Sequence, residues 1–524
     1  MAANPINITP AQRYTIISPA GTPVTRDCLP SSDVTRTLAP GTIVVCAEVQ
    51  EQGNDRQRVR ISSPAGWVDA ESLGPAAPLG PRRPDYAFFM ENQARVAPGD
   101  FHGLEFPFTV DALGAKGPGF LTAAFHASGY LSKDNSVVEI VELAPLGLFG
   151  ASDSALLTVA YAKADPTVAT KLFVKFPPAD PDYKYYHTEN MVSEMQFALF
   201  SQRGTLPVEV PRCCYNDFSG KNWNFILITE RIPFGVASVE PACRKGYDFK
   251  VPAVVEHYEV LAESLAKLVA AHKTGVLGDD VEQLFPFAAS ARNFEHISDA
   301  EARVDRLIDF TGRVASQLFI PEATNPAFIR RFREDVLFGL EHKDDVVAYL
   351  NGNVDYVGLC HYNLNIDNAW FWRDPSGALQ AGLFDWAGAG QMSIAQALGG
   401  MLMMLDPSMH LPIVDKVIST FIKTYSELSG IQLDRSELKL QYKAALFSTT
   451  IEMILTKIID VLPRFSNEDY GSMHSRYDNR LLETQMCSCI KWIDNLLREW
   501  RDEMTPGDAC RIILARSSFA HSTK

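Results

Sequence analysis

The sequence predicts an α+β chain: a small all-β segment, then a strand-rich region, then a long and mostly helical one. Three observations predict it. Residues 11–75 carry short β-branched runs separated by Pro, Gly, Asn and Asp turns. Residues 137–230 repeat strand-length apolar runs around one long helical stretch. From Val254 onward, apolar residues recur mostly at helical spacing. At 524 residues the chain exceeds one ordinary domain.

In the first segment, residues 13–18, 43–49 and 57–62 read as strands. Thr37-Leu38-Ala39-Pro40-Gly41-Thr42 precedes a strand, and Arg58-Val59-Arg60, Gly66-Trp67-Val68 and Leu73 follow. This pattern resembles a bacterial-type Src homology 3-like small β-barrel over residues 11–75. The resemblance implies a module that binds a protein or peptide partner or packs on its neighbour, with Trp67 in its core. No catalytic group is evident in it. The Pro and Gly density between Gly74 and Pro84 prevents regular structure, so residues 76–100 are read as a linker.

Residues 106–131 follow as a helical lead-in. Residues 137–143, 155–161 and 171–176 then read as three strands. The turn between the first two contains Gly147 and Gly150, which would let a backbone approach a phosphate chain; a plain hairpin would look the same. Lys175 falls at an inward phase of the third strand. A helix over about residues 185–203 follows, supplying Glu189 and Glu194, and residues 208–215 and 224–230 complete the strands. Downstream, residues 260–271 form a helix ending near His272, which is read as structural. Residues 326–351 read as one long helix capped by Asn325 before Pro326. Residues 394–500 read as a large helical region.

The most informative stretch is His361-Tyr362-Asn363-Leu364-Asn365-Ile366-Asp367-Asn368, followed after a turn at residues 373–377 by Phe384-Asp385-Trp386. A His, an Asn seven residues on, and an Asp beyond a short hairpin have the spacing of a phosphoryl-transfer loop and its metal-binding aspartate. With the lysine strand and the glutamate helix before it, the region resembles the aminoglycoside phosphotransferase and ecdysteroid-kinase-like families over about residues 100–500. Glu194-Met195-Gln196-Phe197 matches their E-x-x-F/Y. The resemblance implies a bilobal protein-kinase-like fold, with a β-rich N-lobe over 101–232 and a large α-helical C-lobe over 233–510.

By the same resemblance, Lys175 and Glu194 form the nucleotide-site pair, with Lys171 and Glu189 as alternatives. Gly147 and Gly150 line the phosphates, and Glu230 leads into the segment that meets adenine. Asn368 and Asp385 would hold magnesium, and His361 would be architectural. Asn363 stands where those families carry the catalytic base, Tyr362 where they carry a glycine, and Gln396 near the place of a bracing aspartate. The implied function is an ATP-dependent phosphotransferase acting on a small hydroxylated molecule. The alternative is a pseudokinase serving as a nucleotide-binding or protein-interaction module. Asp367 is read as pointing elsewhere.

Net charge is −15, which argues against nucleic acid or an anionic membrane surface as the main partner. No apolar run reaches the roughly 18 residues a transmembrane helix needs. The first residues lack the basic and apolar regions of a secretory signal, so a cytoplasmic location is expected. The 9 cysteines form no evenly spaced framework and are expected to be reduced.

Overall fold

The computed structural model describes residues 8–29, 31–52, 56–76, 83–147, 152–287 and 297–522. The chain divides into two units. One comprises Met1–Pro78, Ala242–Ala381 and Gly390–Lys524; the other comprises Leu79–Pro241 and Gly382–Ala389.

In the first unit, seven short strands follow the period-2 pattern of the opening segment: β1 (Arg13–Ile16), β2 (Thr22–Thr25), β3 (Val34–Leu38), β4 (Ile43–Gln52), β5 (Arg56–Ser62), β6 (Ala65–Asp69) and β7 (Leu73–Pro75). They pair antiparallel in the order β3-β2-β6-β5-β4-β1-β7. Alternate residues Tyr14, Ile16, Val59, Ile61, Val68 and Leu73 point into one core, and Trp67 is buried. Residues of the opposite phase leave the sheet for the helical part of the same unit. Arg60 clamps Asp355 with two bonds of 2.8 and 2.9 Å, and Arg13 meets Glu282 at 2.5 Å. Fork-shaped pairing of this kind fixes orientation as well as distance.

That helical part begins with α4 (Val254–Lys273), whose buried stripe includes Leu261, Leu265, Leu268 and Val269. At its end Lys273 is fully buried, and Nζ donates to Ser62 Oγ at 2.7 Å and to the Val354 carbonyl at 2.6 Å. Burial pushes its pKa from 10.5 down to about 8. Between those values the unfolded chain holds the proton and the folded chain does not, so this lysine's contribution to stability improves as pH rises. We expect Lys273→Met to remove that dependence. The stability difference between wild type and variant should change by about 3 kcal/mol between pH 7.5 and 10.5 in urea unfolding; a constant difference would refute it.

In the second unit, α1 (Tyr86–Asn92) and α2 (Val110–Ala127) precede a five-stranded antiparallel sheet. Its strands are β8 (Val137–Leu146), β9 (Asp153–Tyr161), β10 (Lys171–Phe176), β11 (Cys213–Ser219) and β12 (Asn224–Glu230), in the order β11-β12-β10-β9-β8. The long helix α3 (Pro181–Ser201) joins β10 to β11. One sheet face, with Leu157, Leu172, Val174 and Ile228, packs with Leu113, Leu121 and Phe125 of α2. On the other face Leu227 and Phe225 meet Met191 and Met195 of α3.

Several expectations need correction. The 76–100 stretch is not irregular throughout: the Asp85 carboxylate caps α1, and Phe89 of that helix packs on Tyr185. The lead-in helix is shorter than residues 106–131 and bends at Gly117, whose φ of 65° only glycine adopts freely before Pro118. The strand expected over 208–215 lies at β11, because Pro211 has no N–H for a ladder. Polar Asp217 is tolerated there because its carboxylate accepts from the Phe101 and His102 amides at 3.0 and 3.2 Å. The helix expected over 326–351 is two, Pro326–Glu341 and Lys343–Gly352, broken at His342. Its Asn325 cap is as expected, accepting from Ala327 and Phe328.

The remainder of the first unit is mostly helical, with Ile394–Leu402, His410–Ser429, Arg435–Leu446 and Met486–Glu499 among its longer buried elements. No helix among the described residues is long and apolar enough to cross a membrane. The nine cysteines are free thiols.

Candidate nucleotide and phosphoryl-transfer site

Lys175 alternates inward on β10 and meets two carboxylates. Its Nζ donates to Glu194 Oε1 and Oε2 at 2.8 and 2.7 Å and to Asp385 Oδ1 at 2.6 Å. Glu194 sits on the face of α3 that carries Met191, Met195 and Ala198, so a carboxylate there is buried among apolar neighbours. Side-chain exposure is 12% for Lys175, 4% for Glu194 and 39% for Asp385. Burial disfavours the charge on Lys175, but the two carboxylates outweigh it and hold its pKa above the ordinary value. For Glu194, burial and the neighbouring Asp385 outweigh the lysine, and the carboxyl pKa is raised.

Helix α3 also holds the Asp-Trp segment. Trp386 stacks on Phe197 with ring centroids 3.7 Å apart and planes at 13°, and its indole N–H donates to the Leu383 carbonyl at 3.3 Å. The Gly388 amide donates to the Asn190 carbonyl at 3.1 Å and to Ser193 Oγ at 2.9 Å. Asp385 itself has φ of 61°, a left-handed conformation rare for a residue with a side chain. Such strain costs on the order of 1–3 kcal/mol and persists where the surroundings over-determine it. Here the neighbours at Leu383, Trp386 and Gly388 do so.

The loop from His361 to Asn368 lies in the first unit, between β13 (Val357–Cys360) and β14 (Ala369–Arg373). Strand β15 (Leu379–Leu383) pairs with β14, and β16 (Gly390–Ser393) pairs with β13. His272 anchors the approach: its buried ring is held neutral, and Nδ1 accepts from the Leu359 amide at 3.3 Å. His361 is fully buried, and its Nδ1 accepts from the Asn363 amide at 3.2 Å. The Asn363 carbonyl accepts from Asn365 N at 2.9 Å and from Asn368 Nδ2 at 2.7 Å. This last bond fixes the side-chain amide of Asn368 through its nitrogen.

The side-chain amides of Asn363 and Asn365 touch, and the Asn365 nitrogen is placed to donate to the Gly400 and Met401 carbonyls at 3.1 and 3.2 Å. Gly400 backs the loop so closely that a Cβ there would stand 2.1 Å from the Tyr362 carbonyl oxygen. Gln396, on the same helix, does not brace the loop through its amide nitrogen, which donates to Ser448 Oγ at 3.1 Å.

The remaining expected residues are placed as follows. Glu189 pairs with Arg83 at 3.1 Å, and Lys171 is exposed at the far end of β10. Gly147 is exposed at the end of β8, and Gly150 lies outside the described residues. The Glu230 amide donates to the Arg212 carbonyl at 2.9 Å, and its carboxylate accepts from Tyr130 at 3.2 Å.

No protein-family model matches the sequence, and no curated protein matches it. Solved structures do resemble it. A macrolide 2'-phosphotransferase type I aligns at 16% identity and a TM-score of 0.32, over 64% of this chain and 90% of its own. A choline/ethanolamine kinase family protein from Mesorhizobium loti aligns at 14% identity and 0.33, over 73% and 97%. The GDP complex of wild-type aminoglycoside 2'-phosphotransferase-IIIa aligns at 12% identity and 0.35, over 68% and 94%. The chain's own elements carry the kinase-like description: a five-stranded antiparallel sheet, a helix between its third strand and the next, a lysine–glutamate–aspartate triad, and a helical region bearing the His–Asn loop.

Sequence reasoning missed Asn190, Ser193 and Phe197 as supports of Asp385, and Asn365 and Gly400 as supports of Asn363. The pair Gly399-Gly400 inside an otherwise helical run was the available signal for the last of these.

Proposed function

We propose that this chain binds a magnesium–nucleoside triphosphate (ATP in the families it resembles) and transfers a phosphoryl group to the hydroxyl of a small molecule. The observation that carries the reading is Lys175 held between Glu194 and Asp385. A lysine so paired is fixed in position and stays charged, which suits it to phosphate oxygens. By the resemblance, Asp385 and Asn368 would supply the hard oxygen donors that magnesium requires. No cluster of three His, Cys, Asp or Glu side chains suited to a metal occurs among the described residues. Magnesium, when bound, would neutralise charge developing on the transferred group.

The chain's own residues then have limited tasks. Lys175 binds phosphate, Glu194 holds Lys175, and His361 and Asn368 hold the backbone of Asn363. Asn363 has no basicity near neutral pH, so it orients the acceptor hydroxyl, whose proton passes to a phosphate oxygen or to water as the nucleoside diphosphate leaves. Positioning supplies most of phosphoryl-transfer catalysis, so turnover is slowed rather than abolished. Asn363 equally favours a second reading, a pseudokinase that keeps the nucleotide and has lost transfer. A small β-domain packed on the helical region would serve either.

The test is thermal unfolding of the full chain with and without magnesium, ATP and GTP. A magnesium-dependent rise in Tm with at least one nucleotide, lost in Asp385→Ala, is expected. No shift with either nucleotide would overturn the site. Transfer or hydrolysis in wild type, lost in Asp385→Ala, would exclude the pseudokinase reading.

A further inference from the structure

The face of the sheet that carries Lys175 continues outward through Phe173 and Lys171 on β10 and through Leu156 and Thr158 on β9. On β8, Glu142 stands opposite Thr158. All of these are partly or fully exposed, whereas the alternate residues are buried against α2. Lys171 and Lys175 lie four strand steps apart, about 13 Å, the reach from a phosphate to the far edge of a purine.

At that outer end Arg231, directly after β12, turns back over the face. Its Nε donates to the Leu172 carbonyl at 3.2 Å. Its Nη2 donates to the Leu157 carbonyl at 3.0 Å, Thr158 Oγ1 at 3.2 Å and Glu142 Oε2 at 3.0 Å. Thr158 Oγ1 also donates to Glu142 Oε2 at 2.6 Å. Glu142 Oε1 and Arg231 Nη1 have no hydrogen bond among the described residues. The hydrogen bond from Thr158, with that from Arg231, keeps the Glu142 carboxyl below its ordinary pKa and so ionised.

The backbone beside this cluster is already committed. The Glu230 amide donates to Arg212 O and the Arg231 amide to Lys171 O at 3.1 Å. A base arriving here therefore meets a fixed carboxylate oxygen and a guanidinium N–H, and neither of these two backbone donors. Adenine presents the acceptor N1 next to its amino group. Guanine presents two adjacent donors, N1–H and the 2-amino group, beside the acceptor O6. A carboxylate accepts from paired donors and repels a ring-nitrogen lone pair.

We propose that Glu142 and Arg231 form a base-reading site at the outer end of the Lys175 face, and that the nucleotide they select is a guanine nucleotide. This rests on the nucleotide site proposed above and deepens it. Glu142 accepts from N1–H and the 2-amino group, while Arg231 donates to O6.

The test is calorimetric titration of the full chain with magnesium complexes of GTP, ITP and ATP. GTP is expected to bind at least about tenfold tighter than ATP, with ITP, which lacks the 2-amino group, between them. Glu142→Gln should weaken GTP by about tenfold or more, as expected for losing a bond to a charged group, and leave ATP no weaker than in wild type, because the repulsion on adenine N1 goes with the charge. Glu142 is half-exposed on an edge strand, and retained ATP binding in the variant reports its folding. ATP equal to or tighter than GTP in wild type overturns the proposal while leaving the nucleotide site standing. A GTP preference unchanged in Glu142→Gln does the same. Binding of none of the three overturns both.

Discussion

Lys175→Met is expected to destabilise the protein by about 3–5 kcal/mol, because it leaves Glu194 buried without a counter-charge. Glu194 is only 4% exposed, so solvent offers little screening; Asp385, at 39%, rehydrates and contributes little. The double variant Lys175→Met, Glu194→Met should recover most of the loss, since an apolar pair in place of a buried ion pair is often neutral or better. Urea unfolding of wild type, single and double variants measures both quantities. A single variant within about 1 kcal/mol of wild type would show that the triad is not held as the geometry describes. Both variants should fail to bind a nucleotide, so only their stabilities separate them.

Asn363→Asp is expected to raise the rate of nucleotide turnover, by up to about 10²–10⁴, the range a placed general base contributes. The backbone contacts of residue 363 with His361, Asn365 and Asn368 do not involve the changed atoms. The side-chain contact with Asn365 does. A carboxylate there asks Asn365 to turn its nitrogen inward, giving up bonds to the Gly400 and Met401 carbonyls, each worth about 1 kcal/mol. A base worth 10²–10⁴ corresponds to about 2.7–5.4 kcal/mol of barrier, so the gain exceeds the loss. The pH profile adds a signature. The variant should gain activity as pH rises through the carboxyl range near 4 and level off above it, a limb wild type lacks. A rate equal to wild type, with no new limb, would mean that residue 363 does not face the acceptor.

The sequence reveals the element order because it rests on signals that tertiary contacts do not override. Lys175 lies in a strand-length apolar run, Asn325-Pro326 is a helix start by itself, and the His–Asn spacing is local. What stayed hidden depends on partners distant in sequence. Asp217 looks like a strand breaker until the Phe101 and His102 amides satisfy it. Glu230 looks free until Arg212 takes its amide on behalf of its own carbonyl. His342 ends a helix within a run whose periodicity continues. For the candidate site, Lys175 could be told from Lys171 only by what each meets. Phe197 was visible as part of a motif, but the stacking of Trp386 on it was not.

The eight residues Gly382–Ala389 are separated by more than a hundred positions from the unit they complete. Chain order and physical membership disagree there. A fragment cut after Pro241 would contain the whole five-stranded sheet and α3, yet Phe197 would lose its indole cover, the Asn190 carbonyl and Ser193 hydroxyl would lose the Gly388 amide, and Lys175 would keep one carboxylate of two. An expressed β-rich half is therefore an incomplete object, and supplying residues 382–389 as a separate peptide should restore part of what the cut removes.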